Sequence, residues 1–286
     1  MHESVTLNPR GTSDITIRRL ASTDEYVAAE QLQQDCWQSG PIEAVPLHMM
    51  ITLQKEGGLV LGAFTPEGRL IGFVLGFLGR EGPGLKHCSH MAAVHPDYSN
   101  HNIAWRMKMA QREILLAAGL EICTWTFDPL ESRNATLNIA KLGAISRTYK
   151  RHIYGQMRDG LNALLPTDRL QARWELNSGR VRQCAEMDRR VDAPVAAGAL
   201  TQIAMRDGVP VLTGTQQGWE GRTIGIQIPR EFQPIKREHP DVAMDWRMGT
   251  RALFEAAFAG GYTVVNVTAD PDDPALLTRY TLQLQV

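Results

Sequence analysis

Met91-Ala92-Ala93-Val94-His95-Pro96-Asp97-Tyr98, continued by Ser99-Asn100-His101-Asn102-Ile103-Ala104, is the stretch that decides the fold of this 286-residue chain. A short apolar run ends at His-Pro, a polar turn follows, and Trp105 to Ala118 then runs without Gly or Pro. The order predicts a strand, a tight turn and a helix N-terminus. Such a junction gathers several backbone N–H groups that lack helical acceptors, together with the positive end of the helix dipole. A diphosphate suits that environment without needing a charged side chain. Asn102 stands inside the turn, and Asn tolerates the left-handed backbone that such turns require.

Composition narrows the alternatives. The chain is 43% hydrophobic and 21% charged with a formal net charge of −1, the profile of an ordinary globular protein. That charge gives no footprint for a nucleic-acid backbone, so nucleic acid is set aside as a partner. The apolar runs fall far short of the roughly 20 residues that span a bilayer. Met1-His2-Glu3-Ser4 is polar and carries no secretory apolar region, which points to a cytoplasmic protein outside membranes. Cys36, Cys88, Cys123 and Cys184 are scattered without a Cys-x-x-Cys pair, so buried free thiols are expected and no metal site.

Outward from the opening stretch, Ile15 to Arg18 alternates as a first strand, and Ser22-Thr23-Asp24 starts a helix over Glu25 to Gln38. Leu59 to Phe64 and Leu70 to Leu78 form a hairpin about Thr65-Pro66-Glu67-Gly68, and Glu81-Gly82-Pro83-Gly84 leads into the Met91 strand. Helix 105–118 stops at Gly119, Glu121 to Phe127 is a strand, and Asn134 to Leu142 is a short helix stopped by Gly143. Arg180 to Arg190 is a charged linker or surface helix. Gly225 to Pro229, Tyr262 to Val267 and Tyr280 to Val286 read as strands, with a long helix over Ala243 to Ala259.

The order strand, helix, two strands, strand, turn, helix, strand, helix resembles that of the GNAT N-acyltransferases over roughly residues 14–160. In that family an apolar strand ending Val-x-Pro-x-Tyr/Phe runs into an Arg/Gln-x-x-Gly-x-Gly/Ala turn that binds acyl-CoA. Here Val94, Pro96 and Tyr98 match the strand and Ala104 the last small residue. Asn102 replaces the first Gly and Ser99 the Arg or Gln, which brings a side chain towards the diphosphate. Asn134 and Leu142-Gly143 stand where the family has an Asn-bearing loop and a closing Leu-Gly. Trp125-Thr126-Phe127-Asp128-Pro129-Leu130, Tyr154-Gly155 and Leu165-Pro166-Thr167-Asp168-Arg169 look like a subgroup with an extended C-terminal half. Some members of it are associated with N-succinylation of amino acids. The resemblance implies an α/β (α+β) fold: a mixed, mostly antiparallel sheet with flanking helices, plus a C-terminal α/β half with the character of a partial second GNAT unit. The domains then run 1–13 as a flexible N-terminus, 14–175 as the acyltransferase domain and 176–286 as the C-terminal extension.

It also implies roles. A backbone N–H of Ala93 or Val94 would polarise the thioester carbonyl, with Ala92 beside them and Val94 facing the pantetheine arm. Asn100, His101, Asn102, Ile103, Ala104 and Trp105 would line the diphosphate, and Asn134 would reach the pantetheine or cap its own helix. His90 is the first candidate base, because an imidazole near pKa 6.5 suits an amine deprotonated through water; alternation places it on the same face as Ala92. Glu131 and Asp128, in the loop after Phe127, are alternatives. The family's acidic Tyr falls on Ile139, which has no proton to give, leaving Tyr149 or Tyr154. Arg133, Arg147 and Arg151 can hold a substrate carboxylate, or serve only as a solvated surface. His48, Met49 and Met50 line an acceptor pocket or fill core.

Two readings follow. One is an N-acyltransferase moving acetyl or succinyl from acetyl-CoA or another acyl-CoA to a small amine such as an amino acid. The other is a catalytically degenerate GNAT-shaped CoA-binding or interaction module. A homodimer through the C-terminal half is compatible with either.

Overall fold

The computed structural model describes residues 15–37, 44–99, 101–157, 164–187, 190–216 and 218–284. The N-terminal segment 1–13 and Asn100 lie outside them. The chain divides into two compact units: residues 1–125 with 158–161 and 175–177, and residues 126–157, 162–174 and 178–286.

The first unit is built on a sheet of β1 (Thr16–Arg19), β2 (Leu59–Phe64), β3 (Leu70–Glu81) and β4 (Gly84–Val94), antiparallel neighbours in that order. β2 and the first half of β3 are apolar without alternation because both faces are covered. One face packs Leu20, Tyr26, Ala29, Leu32 and Met50, from α1 (Thr23–Trp37), α2 (Leu47–Lys55) and the β1–α1 link, on Val60, Phe73, Leu75 and Ala93. The other packs Ile103, Met107 and Ala110, from α3 (Ile103–Ala117), on Leu59, Leu61, Ile71 and Val74. Met50 is thus core rather than pocket lining. At the start of α1 the Ser22 hydroxyl accepts from Glu25 N–H, and the Glu25 carboxylate reaches back to accept from Ala21 N–H at 2.7 Å, one residue before the partner of a regular capping box.

β5 (Ile122–Phe127) runs parallel to β4, paired at His87 with Cys123 and Cys88 with Thr124. A bulge on β4 sets its faces. Leu75 pairs with Met91 but Gly76 with Ser89, so His90 is an extra residue and the side-chain phase shifts there. His87 and Ser89 face α3, as Val94 does, while Met91 and Ala93 face α1 and α2. The expected shared face of His90 and Ala92 is therefore corrected: the two lie on opposite faces because the bulge breaks strict alternation.

The second unit holds β7 (Arg169–Glu175, its last residue in the first unit), β6 (Ile145–Lys150), β11 (Tyr262–Ala269), β12 (Leu277–Leu284) and β10 (Thr223–Pro229), antiparallel neighbours in that order. A hairpin of β8 (Thr201–Arg206) and β9 (Val209–Thr215) turns at Asp207-Gly208, both at positive φ, the geometry that suits a two-residue hairpin loop. α4 (Ser132–Ala135) passes into a π-helical turn over Thr136–Lys141; α5 (Gly179–Met187), α6 (Phe232–Glu238) and α7 (Pro240–Ala259) complete the unit. Tyr149 stacks on Phe254, which meets Tyr280 edge-on at 5.1 Å between centroids. No helix among the described residues is long and apolar enough to cross a membrane.

Candidate active site

The turn after β4 has the form the sequence predicts. His95 N–H donates to Ile71 O at 2.8 Å, Pro96–Tyr98 makes one 3₁₀ turn, and the His95 imidazole accepts from Asp97 N–H. Asn102 then takes φ 57° and ψ 16°, the left-handed conformation normally given to Gly. This residue redirects the chain, so α3 begins at Ile103 and not at Trp105. Asn102 makes no side-chain cap, and the first backbone bond of the helix is Arg106 N–H to Asn102 O at 3.1 Å. The N–H groups of Ile103, Ala104 and Trp105 therefore precede any intrahelical acceptor, at the positive end of a 15-residue helix.

Side chains around that turn divide cleanly. Ile103 and Trp105 are buried, so only their backbone N–H groups can serve a ligand; Asn102 and Ala104 are half-buried and His101 is exposed. Upstream, β4 pairs with β5 only at His87 and Cys88 among the described residues, so Ser89 to Val94 runs on as an edge on that side. Ala93 is buried, Val94 half-buried and Ala92 exposed on that edge. Val94 O accepts from Cys36 Sγ at 3.5 Å.

His90 is exposed at the bulge, its ring 6.0 Å from that of Phe77. Partial desolvation lowers its pKa, so the imidazole is neutral near pH 7. Beneath the same strand lies a polar cluster that the sequence did not reveal. Lys108 Nζ donates to Ser89 Oγ at 2.9 Å and to Gln111 Oε1 at 2.8 Å, and sits 3.9 Å from the centroid of the Trp125 ring. Gln111 Nε2 lies 3.2 Å from His87 Nε2. Burial pushes Lys108 down to about 8 and His87 to about 4. Both are bases whose folded pKa lies below the ordinary 10.5 and 6.5, so the unfolded chain binds the extra proton within each window. Stability should therefore rise from pH 8 to 10.5 through Lys108 and fall from pH 6.5 to 4 through His87. Urea unfolding across pH 4–10.5, repeated on Lys108→Met, checks this: the upper rise should vanish in the variant.

Glu131, Tyr149 and Asn134 belong to the second unit. Glu131, not Asn134, is the residue preceding α4; Asn134 sits exposed within the first turn, so its expected capping role is corrected. The Glu131 carboxylate accepts from Gln233 Nε2 and is held above the usual carboxylate range by burial and by Asp128. Asp128 is held low instead, chiefly by Arg247, against the cost of burial. Tyr149 OH donates to Asp168 Oδ2 at 2.8 Å, and burial beside that carboxylate raises its pKa. Tyr154 OH lies 2.7 Å from Thr126 Oγ1. Ile139 is fully buried in the π-helical turn.

Of the three arginines suggested by sequence, Arg133 and Arg147 are exposed, and Arg151 pairs with Glu255 at the surface. The buried guanidiniums are others: Arg247 Nη2 donates to Asp128 Oδ2, which also lies 3.5 Å from Arg169 Nη1. Arg251, one turn on from Arg247, grips Asp168 with two bonds of 2.7 and 3.0 Å. The i, i+4 spacing of Arg247 and Arg251 within the apolar run of α7 was the signal that could have found them.

No family model matches the chain, and no curated protein matches it. Solved structures do. The ribosomal-protein-S18-alanine N-acetyltransferase of Escherichia coli is 17% identical, covering 58% of this chain and 96% of its own, with a TM-score of 0.46. The ribosomal-protein-S5-alanine acetyltransferase of Vibrio fischeri is 13% identical over 62% and 98%, TM-score 0.46. A GNAT-family acetyltransferase of Streptococcus pneumoniae is 16% identical over 56% and 98%, TM-score 0.44. These are partial likenesses of fold. The substrates in those names belong to those proteins. Among the described residues no group of three or more His, Cys, Asp or Glu side chains is placed to hold a metal ion.

Proposed function

We propose that this chain is an acyl-CoA-dependent N-acyltransferase acting on a small amine. One observation carries the reading: Asn102 in the left-handed conformation opens the N-terminus of α3 directly after β4, without a side-chain cap. That arrangement supplies the Ile103, Ala104 and Trp105 N–H groups to a diphosphate, with the unpaired edge of β4 leading up to it. The thioester would lie along that edge, its carbonyl polarised by the Ala93 or Val94 N–H. Attack by a neutral amine nitrogen forms the C–N bond and breaks C–S, with the thiolate of CoA leaving. His90, neutral and exposed on the same strand, is the base that takes the amine proton, directly or through one water.

Ile139 favours a second reading, a module that binds the thioester without turning it over. It stands where the family resemblance expects an acidic Tyr, and it is wholly buried. Calorimetry with acetyl-CoA, succinyl-CoA and free CoA tests the binding step. The expected result is tight binding of one thioester in preference to free CoA, and no binding of any of the three would remove both readings. Turnover against a panel of amines then separates them. If His90 is the base, His90→Ala lowers kcat by about 10²-fold or more and flattens an acid limb lying below pH 6.5. Wild-type kinetics in that variant would return the residue to the surface.

A further inference from the structure

The geometry points to Lys108 as a positioning residue: from α3 it pins the underside of β4 and so forces the bulge that presents His90. The inference rests on the proposed acyl transfer only for the chemical duty given to His90. In a regular strand residues two apart share a face, so Ser89 and Met91 should lie on one side of the sheet. They do not. Ser89 faces α3, where its Oγ accepts from Lys108 Nζ at 2.9 Å, while Met91 packs on the opposite side with the core of α1 and α2. The strand meets both anchors only by inserting one residue between them. That residue is His90, since Gly76 pairs with Ser89 and Leu75 with Met91.

The lower anchor is a network rather than one bond. An ammonium only donates, so Ser89 Oγ and Gln111 Oε1, the latter 2.8 Å away, both accept from Lys108. The Gln111 amide is thereby oriented, and its Nε2 is left to donate to His87 Nε2 at 3.2 Å. Burial holds the His87 imidazole neutral, which keeps that nitrogen an acceptor. Lys108 and Gln111, three residues apart on α3, thus fix both buried polar residues of β4, His87 and Ser89. Gly76 belongs to the arrangement, because a Cβ there would stand 2.1 Å from His87 Nε2 and 2.7 Å from Cys88 O. The place matters too. Among the described residues β4 pairs with β5 no further along than Cys88 with Thr124, and Lys108 Nζ lies 3.9 Å from the ring centroid of Trp125, the next residue of β5. One side chain therefore ties β4, β5 and α3 together at the point where the strand edge opens. Burial of an ammonium is unfavourable, and a methionine would fill the same space without that cost. What the lysine adds is a fixed direction for Ser89, and with it a fixed place for His90.

Imidazole titration by NMR on the full chain tests the positioning without any substrate, with the His90 resonance assigned by its loss in His90→Gln. In Lys108→Met the freed bulge exposes the ring, so His90 should titrate closer to the ordinary 6.5 than it does in the parent. The same variant should show kcat lowered at least about tenfold, with KM for the acyl donor within about twofold. That split marks a misplaced catalytic group, whereas simple loss of folded protein leaves the titration of the remainder unmoved. Circular dichroism reports the fold. Should Lys108→Met not fold, Ser89→Ala, which removes only the anchored oxygen, decides by the same two measurements. An unmoved His90 titration in the folded variant would overturn the positioning. A moved titration with unchanged kcat would sustain it and take the base's role from His90. If the parent turns over no amine, the acyl-transfer proposal falls, and the titration still decides this one.

Discussion

Ala104→Glu should reduce acetyl-CoA affinity by at least about 100-fold, some 2.7 kcal/mol, while the fold stays intact. Ala104 is half-buried in the first turn of α3, among the three N–H groups that have no helical acceptor. A glutamate there places its own carboxylate at the positive end of the helix, in competition with a diphosphate for the same donors. It also adds a negative charge within a few ångströms of two others, where screening by salt is least effective. The helix tolerates the change, because an acidic residue in the first turn favours it by roughly 0.3–1 kcal/mol. The buried neighbours Ile103 and Met107 keep their contacts with the β2–β3 face. Calorimetry gives the affinity, and far-UV circular dichroism with thermal unfolding reports the fold. A folded variant binding acetyl-CoA like the parent would mean that the ligand does not use this helix.

The features behind that expectation were legible because they are local. An apolar run, a His-Pro break and a helix without Gly or Pro specify strand, turn and helix within one window. Asn102 could be read as a left-handed residue from its side chain alone. What the window could not hold was pairing. The bulge at His90 depends on how β3 registers against β4, so alternation counted along β4 placed His90 and Ala92 on one face and was wrong by one residue. α2 was missed because Pro46 precedes it without any capping side chain, and its Met and Leu positions read equally well as loop-borne core. β6, with its Ser-Arg-Thr-Tyr centre, and β7, which opens on a buried arginine, carry little apolar alternation. Acidic residues at strand ends are buried by partners far along the chain: Asp168, just before β7, meets Arg251, and Asp128, just after β5, meets Arg247. The acidic halves of these long-range ion pairs leave no periodic trace; only the i, i+4 spacing of the two arginines does. The exposed Arg133, Arg147 and Arg151 attracted notice for the opposite reason, being close together in sequence.

Asp168→Ala should destabilise the second unit by about 3–5 kcal/mol, the cost of breaking a buried pair by removing one partner. Asp168 is fully buried and accepts four hydrogen bonds: two from Arg251, one from Tyr149 OH and one from His152 N–H. Its removal leaves the Arg251 guanidinium, itself only 15% exposed, without its counter-charge, together with a half-buried phenol and a backbone donor. Asp168→Asn is the informative companion, since it keeps the shape and one acceptor oxygen, and should cost less than Ala. Tyr149→Phe separates the phenol's two possible duties. As a hydrogen-bond donor to Asp168 it is worth about 1–2 kcal/mol of stability, and its ring stays stacked on Phe254. As the general acid it would also govern turnover, lowering kcat well beyond any change in folding. Urea unfolding of the three variants, with kcat measured on Tyr149→Phe, reads both duties at once. A loss of stability with unchanged kcat assigns Tyr149 to the scaffold, and a loss below about 1 kcal/mol for Asp168→Ala would mean that water replaces the carboxylate and the network is not closed.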